Sequence, residues 1–407
     1  MRRPLWFQFI MRLACFISGL EKKPSINSIP KDKRKEFYQG LPGVNLIGAV
    51  HAEFGLGEYA RLSAEALSKT DVPFGVINYS EKIPQRHNAS FRQDVFIEFN
   101  KHKINLFHIN ADSLVDVFIA FGKKFFSKRY NIGCPFWELE KFPAEWAPAL
   151  SLVDEVWAPS EFIQKSLSGT IDKPVIYMPA GITLPVIPKL ARTHFNVPAD
   201  QYVFFFTFDF FSYIDRKNPY AVIRAFKKAF SGGNEHVGLI IKTMNVDKKD
   251  GKWRRLCEVI GDDKRIRVIS ETMDREELLA LKAICDCYVS LHRSEGLGLG
   301  TLEAMLLEKP VICTNYSGNL DYTKDNNSCL VRFKLIPVEE DQYVFYKGQV
   351  WADPDIDHAA WYMEKLYSDR GLGNALGKKA AHFVRDRYNP VRCGERYKQR
   401  FLELGLI

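Results

Sequence analysis

Short apolar runs alternate with amphipathic stretches along most of the chain. The runs are rich in β-branched and aromatic residues, whereas the stretches between them repeat their apolar positions every three or four residues. The first three runs are VNLIGAV (Val44–Val50), PFGVINY (Pro73–Tyr79) and INLFHIN (Ile104–Asn110). Because buried parallel strands read as short continuous apolar runs separated by helices, this pattern predicts α/β domains built on parallel sheets.

The alternation occurs twice, and the interruption between the two series marks a domain boundary. Residues 184–200, LPVIPKLARTHFNVPAD, contain three prolines and show no period. A strand, YVFFFTFDF (Tyr202–Phe210), then starts a second series. We predict two Rossmann-like, doubly wound domains in tandem, at 44–185 and 195–385. Ligands of such sheets bind at the carboxyl ends of the strands, so we expect the ligand in a cleft between the two domains.

The first 43 residues do not follow this alternation. The segment from Leu5 to Leu20 is apolar along one helical face and has basic residues on both sides, and residues 21–43 form a polar linker. The apolar segment is shorter than the roughly 20 residues that a membrane-spanning helix needs. Two interpretations remain: a helix in a membrane interface, with peripheral contact through residues 1–23, or a helix packed on the body of the protein.

Composition narrows the class of partner. The net charge of +8 is a mild excess that suits an anionic ligand or an anionic membrane surface. The sequence contains no nucleic-acid-binding signature, and we predict no nucleic-acid partner. Eight cysteines are scattered through the chain, and several lie in apolar runs, which is typical of reduced cysteines in a cytoplasmic protein.

A glycine-rich turn between a predicted strand and a predicted helix carries the clearest chemistry. It reads EGLGLGTLE, from Glu295 to Glu303, and we expect the helix to begin near Thr301. The glycines let the backbone approach a ligand, and the helix N-terminus offers N–H groups to a phosphate. The two carboxylates would repel phosphate but suit sugar hydroxyls at both ends of a diphosphate. The alternative is a glycine turn with two acids, of which Glu303 favours the helix dipole.

The two glutamates and the glycines between them resemble the E-x7-E motif of retaining glycosyltransferases of family 4, which have the GT-B fold. The resemblance covers roughly residues 44–400, and SGNLD (Ser317–Asp321) stands where the family usually has a Gly-Gly-x-x-Glu turn. It implies that Glu295 contacts the donor sugar and that Glu303 contacts the ribose. The donor-binding backbone of the turn would then lie at Gly298, Leu299, Gly300 and Thr301.

Arg216 and Lys217 are candidates to stabilise the leaving group. Breaking a sugar–diphosphate bond builds negative charge on the departing phosphate, and fixed cations lower that barrier. Lys217 matches the lysine of the family's basic site, but no arginine stands near Phe211 or Ser212, where the family has one. Either Arg216 takes its place or one contact is missing. The alternative is a solvated basic turn.

The first domain has its own glycine loop. Gly55, Gly57 and Ala60 spell G-x-G-x-x-A, which is typical of dinucleotide-binding domains. Such domains need an acid at the end of the second strand, but the residue there is Asn78. The sequence therefore argues against an NAD(P) site. The resemblance implies instead that Gly55 and Gly57 close on the donor diphosphate.

Two further groups in the first domain are candidates for the acceptor side. His108 and Asn110 share one face of the third strand, where the family often has a His-x-His pair. One member of that pair points at the reacting sugar; His108 matches the first member and Asn110 replaces the second, although a lone strand histidine is commonly a core residue. Trp137 and Glu138 combine an aromatic ring with an acid, which suits a sugar acceptor and equally suits interdomain packing.

These residues predict a retaining glycosyltransferase with His108, Lys217 and Glu295 as catalytic candidates. It would move a hexose-type sugar from a nucleotide-diphosphate donor to a glycan or lipid-linked acceptor, in cell-surface polysaccharide or glycolipid synthesis. We expect no metal or other cofactor, a cytoplasmic location that includes the inner face of a membrane, and a C-terminal helix (residues 386–407) packed on the first domain. Two other classes stay open: an NAD(P)-dependent oxidoreductase and an inactive nucleotide-sugar-binding subunit.

Overall fold

The structure is a computed structural model of the 407-residue chain, and it describes residues 23–80, 83, 85–233 and 236–407. The apolar segment from Leu5 to Leu20 lies outside the described residues. The described chain divides into two compact units. The first holds the residues up to Thr183 together with Tyr388–Ile407, and the second holds Leu184–Arg387.

The first unit contains a six-stranded sheet in the order β2-β1-β3-β4-β5-β6, and every neighbouring pair is parallel. Its strands are β1 (Leu41–Gly48), β2 (Phe74–Asn78), β3 (His102–His108), β4 (Tyr130–Gly133), β5 (Glu155–Ala158) and β6 (Val175–Tyr177). Its helices are α1 (Lys31–Phe37), α2 (Gly55–Ser68), α3 (Ala111–Phe121), α4 (Lys123–Phe126), α5 (Glu161–Ser168) and, from the end of the chain, α13 (Pro390–Leu404). Helices therefore separate most strands, as the hydrophobic pattern predicts.

A row of buried asparagines crosses three neighbouring strands of this sheet. The Asn45 amide donates to Asn105 Oδ1 at 2.9 Å, and the Asn105 amide donates to Asn131 Oδ1 at 2.9 Å. All three side chains are buried. A buried amide without a hydrogen bond destabilises the folded state, and a shift of register would break these bonds. The row therefore favours one register of β1, β3 and β4.

The last helix, α13, packs on the first unit. Gly394 lies so close to the Ala66 carbonyl of α2 that a side chain at this position would overlap it. Phe401 stacks on Trp157 of β5, and Arg400 pairs with the fully buried Glu155 at 2.6 Å. The end of the chain thus packs on α2 and on β5.

The second unit repeats the architecture, with a parallel sheet in the order β12-β11-β10-β7-β8-β9. Its strands are β7 (Tyr202–Asp209), β8 (Val237–Met244), β9 (Ile266–Ile269), β10 (Cys287–Ser290), β11 (Val311–Thr314) and β12 (Cys329–Val331). An antiparallel pair that the hydrophobic pattern does not predict follows, namely β13 (Phe333–Pro337) and β14 (Val350–Pro354). The helices are α6 (Ile214–Lys217), α7 (Pro219–Ala229), α8 (Gly251–Ile260), α9 (Arg275–Ile284), α10 (Leu299–Leu306), α11 (Ile356–Ser368) and α12 (Arg370–Arg387).

The second core is dense in aromatic rings. Alternate residues of β7, namely Phe204, Phe206 and Phe208, join one buried cluster with the apolar face of α7. Their neighbour Phe205 is also fully buried, because a strand inside a doubly wound sheet has helices on both faces. None of the helices formed by the described residues combines the length and the hydropathy that crossing a bilayer requires.

Candidate functional site

Arg216 and Lys217 end α6, and local backbone geometry places them beside the segment that follows β10. Between α6 and α7, Asn218 has a left-handed φ of 54° and caps α7 with its side chain. Its amide donates to the Leu291 carbonyl at 3.0 Å, and the Arg293 N–H donates to the Arg216 carbonyl at 2.8 Å. These bonds tie the end of α6 to the start of the glycine-rich turn.

Glu295 is the partner of both cations. Its Oε1 lies 2.5 Å from Lys217 Nζ, and its Oε2 lies 3.1 Å from Arg216 Nη1. Burial alone would raise the pKa of Glu295, but the charges of Lys217 and Arg216 hold it at about 2, so the carboxylate is ionised. Since Arg216 is only 4% exposed, the alternative of a solvated basic turn is wrong for this residue.

The glycines of the turn are required by packing against two tyrosines. Gly298 has a φ of 84°, and a Cβ there would lie 2.7 Å from the hydroxyl of Tyr322. The single proton of that hydroxyl is within hydrogen-bonding reach of two carbonyl oxygens, those of Leu297 (2.6 Å) and Gly298 (2.9 Å). A Cβ on Gly300 would lie 2.6 Å from the hydroxyl of Tyr288. Packing and hydrogen bonds within the protein therefore constrain the conformation of the turn.

The helix that follows the turn begins at Leu299, two residues earlier than the sequence predicts. The left-handed Gly298 precedes it, and the first N–H groups of a helix have no acceptor within the helix. The Thr301 N–H already donates to the Gly298 carbonyl at 3.0 Å. Leu299 and Gly300 are therefore better placed than Thr301 to offer N–H groups to an anion.

Glu303 lies in α10 and is also held by two cations. Its Oε2 is 2.5 Å from Lys282 Nζ, and its Oε1 is 3.0 Å from Arg275 Nη1. Lys282, which is 1% exposed, also donates to the Gly300 carbonyl at 3.2 Å. Burial would raise the pKa of Glu303, yet Lys282 and Arg275 hold it at about 2. Burial lowers the pKa of Lys282, and the attraction of Glu303 opposes that change.

Neither Lys282 nor Arg275 is identified as a site residue from the sequence. The available signal is that Lys282 interrupts the apolar stretch LLALKAI of α9, between the buried Leu281 and Ala283, which is half-buried. A lysine in an apolar stretch is commonly a solvated side chain, since its stem packs on apolar surface while its charge reaches water. Only the fold shows that its ammonium group meets a carboxylate 21 positions later.

In the first unit, His108 ends β3 and is 1% exposed. Among the residues that the structure describes, neither ring nitrogen of His108 has a hydrogen-bond partner. Its ring meets Tyr59 edge to face, with centroids 4.8 Å apart. Burial lowers the pKa of His108 to about 3, so the imidazole is neutral near pH 7. A neutral imidazole can accept or donate a hydrogen bond but does not supply a positive charge.

The predicted acceptor residues have different surroundings. The Asn110 side-chain oxygen accepts from the Phe136 N–H at 2.9 Å. Trp137 is 1% exposed, and its indole N–H donates to the Lys141 carbonyl at 2.9 Å. Trp137 therefore offers no exposed ring face to an acceptor and is a packing residue within the first unit. Glu138, which follows it, is half-buried.

The two glycines of the first loop also differ from each other. Gly55 is the exposed first residue of α2, and a Cβ there would meet nothing within 4 Å. Gly57 is buried, and its Cβ would lie 2.5 Å from the Ala52 carbonyl oxygen and 2.8 Å from that of Ala49. Packing within the protein thus explains Gly57 without a ligand, which weakens both the diphosphate prediction and the dinucleotide alternative at this residue.

The second unit holds the arrangement with the most distinctive chemistry. Glu295 and Glu303 are buried, ionised and eight positions apart, with a rigid glycine turn between them. An ionised carboxylate has about four sites for hydrogen-bond donors, so each acid can still accept bonds from hydroxyl groups. No group of three or more His, Cys, Asp or Glu side chains suited to a metal ion occurs among residues 23–80, 83, 85–233 and 236–407.

Comparison with known proteins adds a family to this geometry. Residues 212–383 match the family model described as glycosyl transferases group 1. This range includes both acids and all four of their cationic partners. No protein with a curated description matches the sequence. The match supports the broad glycosyltransferase family.

Solved structures agree on the fold. Sucrose-phosphate synthase from Thermosynechococcus elongatus is 14% identical, with a TM-score of 0.62 over 89% of this chain and 99% of that one. HepE from Anabaena, in complex with UDP and glucose, is 15% identical, with a TM-score of 0.60 over 89% and 100%. TarM is 15% identical, with a TM-score of 0.54 over 74% and 54%, so the chain spans about half the length of TarM. The predicted α/β fold of the GT-B class is confirmed.

Proposed function

We propose that this chain is a glycosyltransferase that moves a sugar from a nucleotide-diphosphate donor to a glycan or lipid-linked acceptor. The proposal depends on one observation above the others: two buried, ionised carboxylates on either side of a rigid glycine turn that precedes a helix. The match of residues 212–383 to glycosyl transferases group 1 supports it, because the whole arrangement lies in that range.

In the proposed donor complex, the N–H groups of Leu299 and Gly300 bind the diphosphate. Glu303 accepts hydrogen bonds from the ribose, and Glu295 accepts them from the donor sugar. Both acids begin with the correct charge, since each has a pKa of about 2. Because cations fix both carboxylates before binding, the donor does not have to order them.

Lys217 has a second part in this proposal. Its side chain is 19% exposed, whereas that of Arg216 is 5% exposed. A donor phosphate beside Glu295 would therefore meet Lys217 more readily than Arg216. As the sugar–phosphate bond breaks, Lys217 stabilises the charge that develops on the departing phosphate.

We propose a retaining reaction of the family 4 type, in which the departing phosphate helps to deprotonate the acceptor. No carboxylate is assigned as a nucleophile, because both acids of the turn accept hydrogen bonds from hydroxyl groups of the donor. His108 contributes a neutral hydrogen-bonding group to the reacting sugar. The reaction is expected to need no metal ion, and we place it in cell-surface polysaccharide or glycolipid synthesis.

A thermal-shift screen tests the donor assignment. UDP, GDP, ADP and their sugars are added separately, beginning with UDP because HepE is solved in complex with UDP. A ligand at 100 times its dissociation constant stabilises a protein by about 2.7 kcal/mol. We expect one base to shift the melting temperature of the wild type and not that of Glu303→Gln. Glu308→Gln is the matched control, because Glu308 is exposed and pairs only at the surface with Arg385.

Turnover then separates an enzyme from an inactive sugar-nucleotide-binding subunit. The observation that favours such a subunit is the engagement of Lys217 by Glu295, since that ion pair competes with a phosphate. With the donor base known, NMR of the anomeric proton reports whether sugar is released or transferred and with which configuration. A retained configuration supports the proposal, and an inverted product contradicts the retaining mechanism. If the protein binds the donor but neither hydrolyses it nor transfers the sugar to any acceptor, it is an inactive sugar-nucleotide-binding subunit.

A further inference from the structure

The sheet of the first unit has one edge that carries most of the net positive charge of the protein. Because all six strands are parallel, the segments that lead into them meet at this amino edge. Residues 23–40, 98–103 and 122–129 lead into β1, β3 and β4, and they contain eleven basic and three acidic residues. The segments that lead into β2, β5 and β6 contain Lys69, Asp71, Asp154, Asp172 and Lys173, which nearly cancel.

Direct contacts join these three segments into one surface, which we call the basic edge. The Gln39 N–H donates to the Lys128 carbonyl at 2.9 Å, and the Leu41 N–H donates to the Lys101 carbonyl at 2.9 Å. Lys103 Nζ donates to the Lys35 carbonyl at 2.5 Å. The bonds use backbone carbonyls of these lysines, so they bring like charges together without neutralising them.

Several ammonium groups of the basic edge point to solvent. Lys33, Lys101, Lys124 and Lys128 are exposed, and none of them forms an ion pair with a residue in the described part of the chain. Unpaired like charges on one face repel each other and favour an anionic surface as partner. The acids on this edge, Asp32, Glu36 and Glu98, are too few to neutralise it.

Two large apolar side chains stand exposed beside these lysines. Phe99 is 68% exposed and precedes Lys101 by two positions, and Leu41, which bonds to Lys101 through its backbone, is 60% exposed. Exposed single apolar residues are ordinary, but an aromatic and an aliphatic side chain inside a basic surface match the interface of an anionic bilayer. A nucleic acid would pair its phosphates with the lysines but would leave Leu41 exposed to water. It would contact Phe99 only if a base stacked on the ring.

The start of the described chain lies on the same edge. Lys23 pairs with Asp154 at 2.5 Å, and its ammonium group lies 4.9 Å from the centre of the Tyr38 ring. The first described residue therefore lies at the basic edge. In sequence, the preceding residues 1–22 have their apolar positions on one side of a helical projection and basic residues at both ends.

We propose that the basic edge binds the surface of a bilayer rich in anionic lipid headgroups, with Phe99 and Leu41 entering the interface. β3 runs seven residues from this edge to His108, which is about 20 Å along a strand. The basic edge is therefore an attachment surface that is separate from the carboxyl edge where His108 lies. The proposal does not depend on the glycosyltransferase activity.

Vesicle co-sedimentation of the full-length protein tests the proposal. The probes are vesicles of phosphatidylcholine alone and of phosphatidylcholine mixed with phosphatidylglycerol. We expect binding to the mixed vesicles only, weakening as salt is added. Lys101→Glu with Lys128→Glu should weaken binding at least about 30-fold, since each lysine near an anionic surface contributes about 1 kcal/mol. The control is Lys378→Glu with Lys379→Glu in α12, which changes the net charge equally on exposed lysines of the second unit.

A second pair of variants tests the apolar part of the surface. Phe99→Ser should weaken binding to the mixed vesicles at high salt. Under that condition the charges are screened, so the ring contributes a larger share of the binding free energy. Val186→Ser, at a residue that is 93% exposed in the second unit, should leave binding unchanged. Equal loss in the two lysine pairs would overturn the proposal, because net charge alone would then explain binding. Binding to duplex DNA without binding to mixed vesicles would also overturn it, in favour of a nucleic-acid surface.

Discussion

The two units have the same sheet architecture, but they treat polar side chains at the carboxyl edges of their sheets in different ways. In the second unit, Glu295 and Glu303 are buried and each is fixed by two cations. In the first unit, His108 is equally buried but has no hydrogen-bond partner among the described residues. The two acids of the second unit are thus charged and held by ion pairs, whereas His108 of the first unit is neutral.

Under the proposed function, this difference assigns recognition of the charged part of the donor to the second unit. A buried carboxylate is tolerated because its cations offset the loss of hydration, and the same cations set its orientation. A buried imidazole avoids that cost by staying neutral, at a pKa of about 3. Under the proposed function, donor binding therefore depends on the second unit's ion pairs, while His108 contributes only polarity and shape.

Breaking one ion pair should have the largest effect on stability. Glu303→Gln leaves the ammonium group of Lys282 buried with Arg275 nearby and no carboxylate. We expect the free energy of unfolding in urea to fall by about 3–5 kcal/mol. Adding Lys282→Met should restore most of that loss, because replacing both partners removes the uncompensated charge. A double variant as unstable as the single one would show that Lys282 is not held by Glu303.

Alanine substitutions at Gly57 and Gly55 in the first unit should have different effects on stability, and the larger of the two should be smaller than that of Glu303→Gln. Gly57→Ala places a Cβ against the Ala49 and Ala52 carbonyls, so we expect a loss of about 1–3 kcal/mol in the free energy of unfolding. Gly55→Ala meets open space in the first turn of α2 and should leave stability unchanged or raise it slightly. Equal losses in the two variants would contradict the packing explanation of Gly57.

The pH dependence of His108 should give the smallest effect. Its folded pKa lies below its usual value, so the unfolded chain takes up a proton first as the pH falls. The stability contribution of the neutral ring is complete above about pH 6.5 and is lost as the pH falls from there to about 3. His108→Leu should match the wild type at pH 7 and exceed it by about 1 kcal/mol at pH 5.5. The free energy of unfolding in urea is measured for both proteins as a function of pH. If the two pH profiles ran parallel, His108 would not be a buried, neutral imidazole.

The sequence identifies the sheets and the acidic turn because both leave local signals. Parallel strands leave short continuous apolar runs, as in β7 from Tyr202 to Phe206, and the turn combines glycines with two acids in nine residues. Lys282 leaves only an ambiguous signal, the interruption of an apolar stretch, and Arg275 leaves none, since both act on Glu303 from a separate helix. The apolar run YNIGCPFW (Tyr130–Trp137) has the pattern of a buried strand along its whole length, but β4 ends at Gly133 and the rest of the run forms a largely buried loop.

Side-chain direction is also beyond the reach of the local pattern. The sequence leaves Trp137 open between an acceptor surface and interdomain packing, and in the structure its ring packs on Phe142 and Trp146 within the first unit. The pair β13 and β14 is missed because Phe333–Pro337 is largely exposed and ends in a proline, which is untypical of a buried strand. Such features depend on which neighbours the fold supplies.

The most direct test of the account is a calorimetric titration of the preferred nucleoside diphosphate into the wild type and into the double variant Glu303→Gln with Lys282→Met. The double variant is expected to fold nearly as stably as the wild type, so a change in affinity reports on binding. We predict that the wild type binds and that the double variant loses at least about 10-fold in affinity, as expected when a charged hydrogen bond to the ribose is removed. Equal dissociation constants for the two proteins would contradict the assignment of Glu303 to the donor.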